Sequence, residues 1–165
     1  MRKVLWAPWR AEYIRSFDEK PAAGCIFCTY PKQKKDKSNL ILARKKGVFV
    51  IMNRFPYNNG HLMVVPYRHT GDPCRLSTIE NKELWETVLQ CKTILGRLFK
   101  PAGFNIGMNL GRCAGAGIDK HCHLHIVPRW NGDTNFMPLF GEVKVVSESL
   151  LSTYRKLLPF FKERL

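Results

Sequence analysis

Acidic side chains and long apolar runs are both scarce in this sequence of 165 residues. Its 13 Asp and Glu face 27 Lys and Arg, and the resulting net charge of +14 attracts phosphate-bearing ligands, from nucleotides to nucleic acids. No run approaches the roughly 18 apolar residues that a membrane-spanning helix requires. Pro8 and Arg10 interrupt the apolar stretch behind the basic N-terminus before it reaches signal-peptide length. We therefore expect a soluble protein of the cytoplasm without a membrane partner.

The composition is that of a folded domain. Hydrophobic residues make up 45% and aromatic residues 12% of the sequence, which argues against disorder. A chain of this length buries about two-thirds of its surface on folding, so residues 1–165 are expected to form one domain with a real core. That core and the cytoplasmic setting make a disulfide framework unnecessary for the 6 cysteines, and metal ligation is the preferred first interpretation.

Short apolar runs bounded by turn residues predict an α+β fold. Two runs flank a Gly-containing turn, a third ends at a proline, and two more lie on either side of a glycine-rich loop at 111–117. The five predicted strands span 40–43, 48–52, 61–66, 104–110 and 121–128. The Lys-rich stretch 31–39 is predicted to be a surface loop. Because strands and helices do not alternate strictly, the sheet is expected to be antiparallel.

One long helix and a C-terminal helix are predicted beside this sheet. Ser77 and Glu80 form a capping-box pattern that starts the long helix, and Pro101 ends it. Its apolar residues recur at intervals of three and four: Leu84, Val88, Cys91, Leu95 and Leu98. The second helix begins at about Ser147, and its buried side consists of Leu150, Leu151, Tyr154, Leu157 and Leu158.

Three of the 5 histidines of the chain alternate within one short segment. Side chains alternate along a strand, so His121, His123 and His125 are expected to project from one face of the last strand. Two chemistries use such a row: a metal held by neutral imidazoles, or a nucleophilic imidazole that its neighbours hold in one tautomer.

The run His121-Cys122-His123-Leu124-His125-Ile126-Val127 matches the pattern His-φ-His-φ-His-φ-φ, in which φ is apolar. It resembles the histidine triad (HIT) superfamily of nucleotide hydrolases and transferases. Residues 5–14, the run Pro128-Arg129-Trp130 and residues 132–136 are similar to the zinc-containing, diadenosine tetraphosphate phosphorylase-like branch of bacteria and archaea. The resemblance implies an open half-barrel sheet, a homodimer, and an adenine nucleotide or dinucleoside polyphosphate as substrate.

The resemblance also implies a role for each of two triad histidines. His123 attacks the α-phosphate of an adenine nucleotide and forms a nucleotidyl-enzyme intermediate, which water or phosphate then releases. A neutral imidazole suits this task because its ordinary pKa of about 6.5 leaves a free lone pair at neutral pH. His125 contacts the phosphoryl oxygens, and backbone N–H groups of the glycine-rich loop contact the phosphates.

Further substrate-binding positions follow from the same resemblance, and three positions depart from the family pattern. Asn53 occupies the place of an acidic ribose-binding residue, and Gly117 and Ile118 stand where many members have Gln and Ser or Thr to handle the leaving group. Backbone amides of residues 115–117 or a nearby basic residue are expected to substitute for those side chains. The expected substrate-binding residues are Asn53, Asn109, Gly115, Gly117 and Trp130.

Cys25-Ile26-Phe27-Cys28 has the spacing of a zinc knuckle, in which one turn supplies two thiolates and two more ligands come from elsewhere. A redox pair and a structural cysteine pair are the alternatives. Zinc-bearing HIT proteins resemble this chain in having such a pair, which implies that His69 and His121 complete a closed, structural zinc site clamping the N-terminal segment to the triad. His61 is interpreted as a packed strand histidine outside this scheme.

Other functions remain open at this stage. The Lys and Arg runs at 32–37 and 44–46 are compatible with a basic, zinc-containing nucleic-acid-binding module, although no motif that reads RNA or DNA accompanies them. Among enzymes, nucleotidyl transfer to a sugar phosphate and hydrolysis of nucleoside phosphoramidates are alternatives. Phosphorolysis and hydrolysis of the dinucleotide are not distinguished.

Overall fold

The structure is a computed structural model that describes residues 24–133 and 148–164. Three features of the sequence analysis lie outside these residues: the motif at 5–14, residues 134–136 of the run 132–136, and the expected helix start at Ser147. Within the described ranges, the helices are too short or too polar for a membrane span.

The sheet has five strands in the order β1-β2-β3-β5-β4, and all neighbours are antiparallel. The strands are β1 (Ile41–Arg44), β2 (Val48–Met52), β3 (Leu62–Pro66), β4 (Gly103–Gly107) and β5 (Leu124–Arg129). This open antiparallel sheet with flanking helices confirms the α+β half-barrel prediction. β2 and β3 are buried along their whole length, which explains their continuous apolar runs.

The last strand begins later than predicted, because β5 starts at Leu124 and leaves His121 and His123 in the segment before it. In the register of β3 with β5, Val64 lies opposite Leu124, so continued pairing would place Pro66 opposite Cys122. Proline has no N–H to continue the ladder. The amide of Cys122 instead donates to the carbonyl of Thr70. The row of histidines is therefore shared between a strand and the turn that leads into it.

The long helix α3 spans Thr78–Phe99 and packs against β2, β3 and β5. Its capping box is present: the Ser77 hydroxyl accepts from the Glu80 amide at 3.2 Å, and the Glu80 carboxylate accepts from the Ser77 amide at 2.8 Å. The helix ends at Phe99, and its C-cap is Lys100, which has a left-handed φ of 45° and lies directly before Pro101. Four residues of the predicted apolar stripe are buried and Leu98 is partly buried against them.

The C-terminal helix α4 spans Leu150–Arg164 and covers β1, where the Tyr154 hydroxyl donates to the carbonyl of Ile41 at 3.0 Å. The prediction that Leu151 belongs to its buried side was wrong, because this side chain is 49% exposed. Intervals of three and four along the helix instead carry the buried stripe through Tyr154, Leu157 and Phe161.

The stretch 31–39 was predicted to be a surface loop, but it is folded into short turns. A one-turn helix α1 (Ile26–Thr29), a 3₁₀ turn (Tyr30–Gln33) and a one-turn helix α2 (Asp36–Asn39) follow one another. Asn39 is buried and its side-chain amide donates to the carbonyl of Tyr30 and to Gln33, which ties the turns together. The lysines of the stretch are all exposed around this small folded segment.

Candidate functional site

Four metal-ligating side chains meet where α1 approaches the segment before β5. The ligand atoms of Cys25, Cys28, His69 and His121 all lie within 4.8 Å of one another. Nitrogen–nitrogen and sulfur–nitrogen separations among them run from 3.2 to 3.6 Å. Bonds of about 2.0–2.1 Å to nitrogen and about 2.3 Å to sulfur in a tetrahedral site require separations of about 3.3–3.8 Å between donor atoms. The four residues therefore fit a metal ion, in the combination that the family resemblance implies.

The tautomer of His121 suits ligation. Its Nε2 lies 2.8 Å from the carbonyl of Pro66 and donates to it, so the lone pair resides on Nδ1, the atom that faces the cysteines. His121 is fully buried, and burial lowers its pKa, which keeps the ring neutral. Burial and the neighbouring Cys25 raise the pKa of the Cys28 thiol. A pair of thiolates here is therefore favoured only with a cation between them.

His123 presents a free lone pair. Its Nδ1 lies 2.9 Å from the backbone carbonyl of His121 and donates to it, which leaves Nε2 unprotonated in the neutral ring. Burial lowers the pKa of His123, so the neutral form dominates at pH 7. The backbone carbonyl of His121, a candidate metal ligand, thus accepts the hydrogen bond that fixes the tautomer of His123.

His125 is held in the other tautomer by a chain of hydrogen bonds. The backbone amide of Tyr57 donates to His61 Nδ1 at 3.0 Å, so the proton of neutral His61 is on Nε2. That atom lies 2.9 Å from His125 Nδ1 and donates to it. The proton of neutral His125 must then be on its Nε2. Burial and the nearby His123 lower the pKa of His125 to about 4, so the ring is neutral at pH 7.

The two neighbouring imidazoles therefore offer opposite functions. Their ring centroids are 4.7 Å apart at an angle of 69°. His123 offers a lone pair at Nε2, whereas His125 offers an N–H donor at Nε2. One attacking atom and one adjacent donor are what displacement at a phosphorus centre requires, because the donor stabilises charge on an oxygen as the bond forms.

The glycine-rich loop is folded on itself as a tight turn. Gly111 and Gly115 have φ of +83° and +87°, where side chains are disfavoured. The amide of Gly115 donates to the carbonyl of Arg112, and that of Ala116 to the carbonyl of Gly111. These two N–H groups are therefore used inside the turn, whereas the sequence analysis expected the loop amides to contact the phosphates. A Cβ at Gly115 would meet the Asn109 side chain at 3.9 Å, which places Asn109 against this turn.

The remaining expected contact residues lie at strand ends. Asn53 follows β2. Its side-chain Oδ1 accepts from the backbone amide of Phe55 at 2.9 Å, and its backbone amide donates to the carbonyl of His61 at 3.0 Å. Asn53 is thus next to the histidine that contacts His125. Trp130 follows β5, five residues beyond His125, or about 16 Å along an extended strand. Its amide donates to Asp133 at 3.0 Å, and its contact with substrate stays a prediction.

Two buried residues at the site were not recognised from the sequence. His61 was interpreted as a packed histidine; it is 1% exposed, but it also contacts His125. Phe27, between the two knuckle cysteines, is 1% exposed and packs against His121 and His123. The contact of His61 with His125 follows from the pairing of β3 with β5. This pairing sets Met63 opposite His125 and brings the start of β3 beside the triad.

Comparison with known proteins agrees with this geometry. The HIT domain family model matches residues 33–132. The chain is 38% identical over 159 residues to the AP-4-A phosphorylase of Mycobacterium tuberculosis, which covers 93% of this chain and 81% of that protein. A zinc-bound histidine triad family protein from Mycobacterium smegmatis has a TM-score of 0.67 at 20% identity, with 85% of this chain and 94% of that chain covered. A hypothetical histidine triad nucleotide-binding protein from Sulfolobus tokodaii has the same TM-score at 25% identity, with coverages of 85% and 91%. The chain belongs to the HIT family.

Proposed function

We propose that the protein is a dinucleoside polyphosphate phosphorylase or hydrolase that acts through a covalent nucleotidyl-histidine at His123. The observation that carries this proposal is the pair of opposite tautomers, a free lone pair on His123 Nε2 beside an N–H on His125 Nε2. The relative named AP-4-A phosphorylase is similar over 93% of the chain, which supports a diadenosine tetraphosphate-like substrate.

The reaction takes place in two displacements. His123 Nε2 attacks the α-phosphorus, a P–N bond forms, and the P–O bond to the rest of the polyphosphate breaks. His125 donates from Nε2 to a phosphoryl or leaving oxygen while the charge develops. Phosphate or water then attacks the same phosphorus and the P–N bond breaks, which restores His123. From diadenosine tetraphosphate, phosphate gives ADP and ATP, and water gives AMP and ATP.

The expected substrate contacts complete the site. Asn53 bonds the ribose through its amide, and Asn109 and Gly115 border the phosphates, with glycine allowing close approach. Of residues 115–117, whose amides were expected to replace the usual leaving-group side chains, Gly115 donates its amide to Arg112 instead. His125 is accordingly the donor assigned to the leaving oxygen, and Gly117 contributes open space.

We further propose that the metal is zinc and that its role is structural. Two sulfur and two nitrogen donors match the preference of zinc, and four protein ligands leave no position for substrate. The ion would hold α1 against the segment before β5. Metal analysis should find one zinc per chain and its loss in Cys25→Ser and His69→Ala proteins; full zinc content in both variants would contradict the assignment.

A homodimer is proposed as the working assembly. Within residues 24–133 and 148–164, β4 pairs only with β5, so its other edge is available to a second sheet. Trp85 and Leu89 on α3 are 51% and 48% exposed and lie on one stripe with Lys92, whose ammonium is 5.9 Å from the ring of Phe104 in β4. The apolar stripe therefore runs beside the open edge, and the two surfaces form one candidate interface.

The decisive experiment supplies diadenosine tetraphosphate with and without phosphate and identifies the products. ADP that depends on phosphate indicates phosphorolysis, whereas AMP with ATP in its absence indicates hydrolysis. The His123→Ala protein should retain its fold and lose turnover by at least about a thousandfold, since it lacks the nucleophile. Labelled substrate should leave an acid-labile adduct on the wild type and none on the variant. Full turnover by His123→Ala would exclude the mechanism.

The alternatives give different results in the same assay. A nucleoside phosphoramidate hydrolase would turn over adenosine phosphoramidate much faster than the dinucleotide, still through His123. A nucleic-acid-binding module would bind single strands or duplexes with His123→Ala unaffected and would turn over none of these compounds.

A further inference from the structure

The metal knuckle is joined to the nucleophile by one aromatic ring. Phe27 stands between Cys25 and Cys28 in sequence and is 1% exposed. Its ring centroid is 4.9 Å from that of His123 at an angle of 55°, and 5.4 Å from that of His121 at 75°. The residue that the two ligating cysteines flank therefore packs on the catalytic histidine as well as on a ligating one.

His123 needs such a contact because its hydrogen bond fixes only one of its atoms. The bond from Nδ1 to the carbonyl of His121 sets the tautomer but leaves the ring free to rock about that contact. The rings of Phe27 and His125 both pack against the imidazole of His123, with centroid distances of 4.9 and 4.7 Å. His125 is fixed by His61, so Phe27 is the second constraint on the plane of His123.

The position of Phe27 depends in turn on the knuckle. α1 has only four residues, and a helix of one turn is not stable by itself in water. Its backbone is closed by the amides of Cys28 and Thr29, which both donate to the carbonyl of Cys25 at 3.0 Å. Two contacts anchor the turn to the sheet. Phe27 is buried, with its ring centroid 6.4 Å from that of Phe49, and the thiols of Cys25 and Cys28 both approach His121.

We propose that Phe27 is a positioning residue that holds the imidazole of His123 in its attacking orientation and makes that orientation depend on the Cys25, Cys28, His69 and His121 cluster. The inference rests on the proposed role of His123 as nucleophile. Displacement at phosphorus is sensitive to the direction of the attacking lone pair, and misplacement of about 1 Å can cost about a hundredfold in rate. The knuckle thus contributes to catalysis without touching substrate.

The test compares Phe27→Leu with Phe161→Leu. Both phenylalanines are 1% exposed, and Phe161 lies on α4 against β1, away from the histidines. Both variants should lower the unfolding midpoint to a similar extent. In single-turnover experiments with diadenosine tetraphosphate, formation of the nucleotidyl-histidine should slow by about 10- to 100-fold in Phe27→Leu and by less than about twofold in Phe161→Leu, with KM unchanged in both.

A spectroscopic signal checks the geometry independently of activity. The Phe27 ring shifts the proton resonances of the His123 imidazole, and with only 5 histidines in the chain these signals can be assigned from the His123→Ala protein. Phe27→Leu should remove that shift, Phe161→Leu should not, and Cys28→Ala should move the same signals in the direction of Phe27→Leu. If Phe27→Leu yields no folded protein, Phe27→Met, which keeps more of the volume, takes its place.

Failure of this inference differs from failure of the proposed function. Equal rates of adduct formation in the Phe27 and Phe161 variants, with His123→Ala inactive, would overturn the role of Phe27 alone. Unchanged His123 signals in Cys28→Ala would overturn the dependence on the knuckle. Turnover in His123→Ala would instead overturn the nucleophile, whatever the Phe27 variant does.

Discussion

His61 Nε2 donates to His125 Nδ1 across 2.9 Å, and both imidazoles are buried. Since the Tyr57 amide fixes the proton of His61, this bond determines which nitrogen of His125 carries its proton. His61→Leu should therefore lower kcat by about 10- to 100-fold, because His125 loses the group that directs its N–H to the substrate. Stability should fall by about 1–3 kcal/mol, since His125 Nδ1 loses its donor.

The matched variant for this prediction is His61→Gln, whose side-chain amide reaches the place of the imidazole Nε2 and can still donate. It should recover a large part of the kcat that His61→Leu loses. Steady-state kinetics and urea unfolding of both proteins decide the matter. Equal kcat in the Gln and Leu variants would mean that His61 only fills space.

The buried histidines predict a loss of stability in mild acid. The pKa of His125 is lowered from 6.5 to about 4, so between these values the unfolded chain binds more protons than the folded protein. The contribution of neutral His125 is therefore complete above about pH 6.5 and is lost as the pH falls toward 4, a change on the order of 2–3 kcal/mol. In urea unfolding between pH 4.5 and 7.5, the free energy of unfolding should change less with pH in His125→Gln than in the wild type. Parallel curves of this free energy against pH would contradict the prediction.

The acid limb of catalysis should follow the same direction. Burial lowers the pKa of His123, so its lone pair stays available below the ordinary range for histidine. The pH dependence of kcat/KM should therefore fall off on the acid side with an apparent pKa below about 6.5. A fall centred above that value would mean that the nucleophile is not buried in the free enzyme.

The sequence was most informative where chemistry and periodicity are local. The capping box at Ser77 and the stripe of α3 depend on neighbours within a few residues, and both were predicted correctly. The family resemblance grouped the four candidate metal ligands, and the structure confirms their proximity, although 93 residues separate Cys28 from His121. Spacing alone gave only the Cys25 and Cys28 pair.

The sequence did not reveal contacts that a side chain makes across the sheet. His61 and His125 are 64 residues apart, and only the register of β3 with β5 reveals that they meet. The start of β5 was predicted too early. Its pairing with β3 stops where Pro66, which has no N–H, would face Cys122, and a pattern within residues 121–128 does not contain this proline. Leu151 was assigned to the buried side from apolarity, whereas the geometry of a helix on β1 determines which leucine of the pair Leu150 and Leu151 faces the core.

Asn53 offers a test of ribose recognition. Asn53→Asp keeps an oxygen that accepts from the Phe55 amide, so the turn is retained. It also introduces the acidic group that the family resemblance implies at this position. Because hydrogen bonds to a charged acceptor are about twice as strong as neutral ones, KM for diadenosine tetraphosphate should fall by about three- to tenfold with kcat unchanged. Asn53→Ala should raise KM and lose about 1 kcal/mol with the turn. An unchanged KM in both variants would remove Asn53 from the substrate site.

Gly117 has room for the glutamine that the family resemblance implies at this position. A Cβ there meets no heavy atom within 4 Å and Gly117 is not among the glycines of positive φ, so Gly117→Gln should change stability by less than about 0.5 kcal/mol. The added amide is expected to assist the leaving oxygen and raise the rate of adduct formation by about three- to tenfold. Gly115→Gln is the control: φ of +87° makes it strained, and it should lose about 1–2 kcal/mol without a gain in rate. No acceleration in Gly117→Gln would show that His125 alone suffices for the leaving group.

Among the described residues, one edge of β4 pairs with no strand, and this edge predicts where a dimer forms. Ile106 in this strand is 36% exposed, and a charge placed there would have to be buried between two sheets. Ile106→Asp should convert a particle of twice the chain mass into a monomer in sedimentation equilibrium, with the unfolding midpoint of the monomer nearly unchanged. Ile79→Asp, at an isoleucine 79% exposed in the first turn of α3, should leave the dimer intact. A wild-type protein that sediments as a monomer at micromolar concentration, or equal dissociation by both substitutions, would contradict an interface along β4.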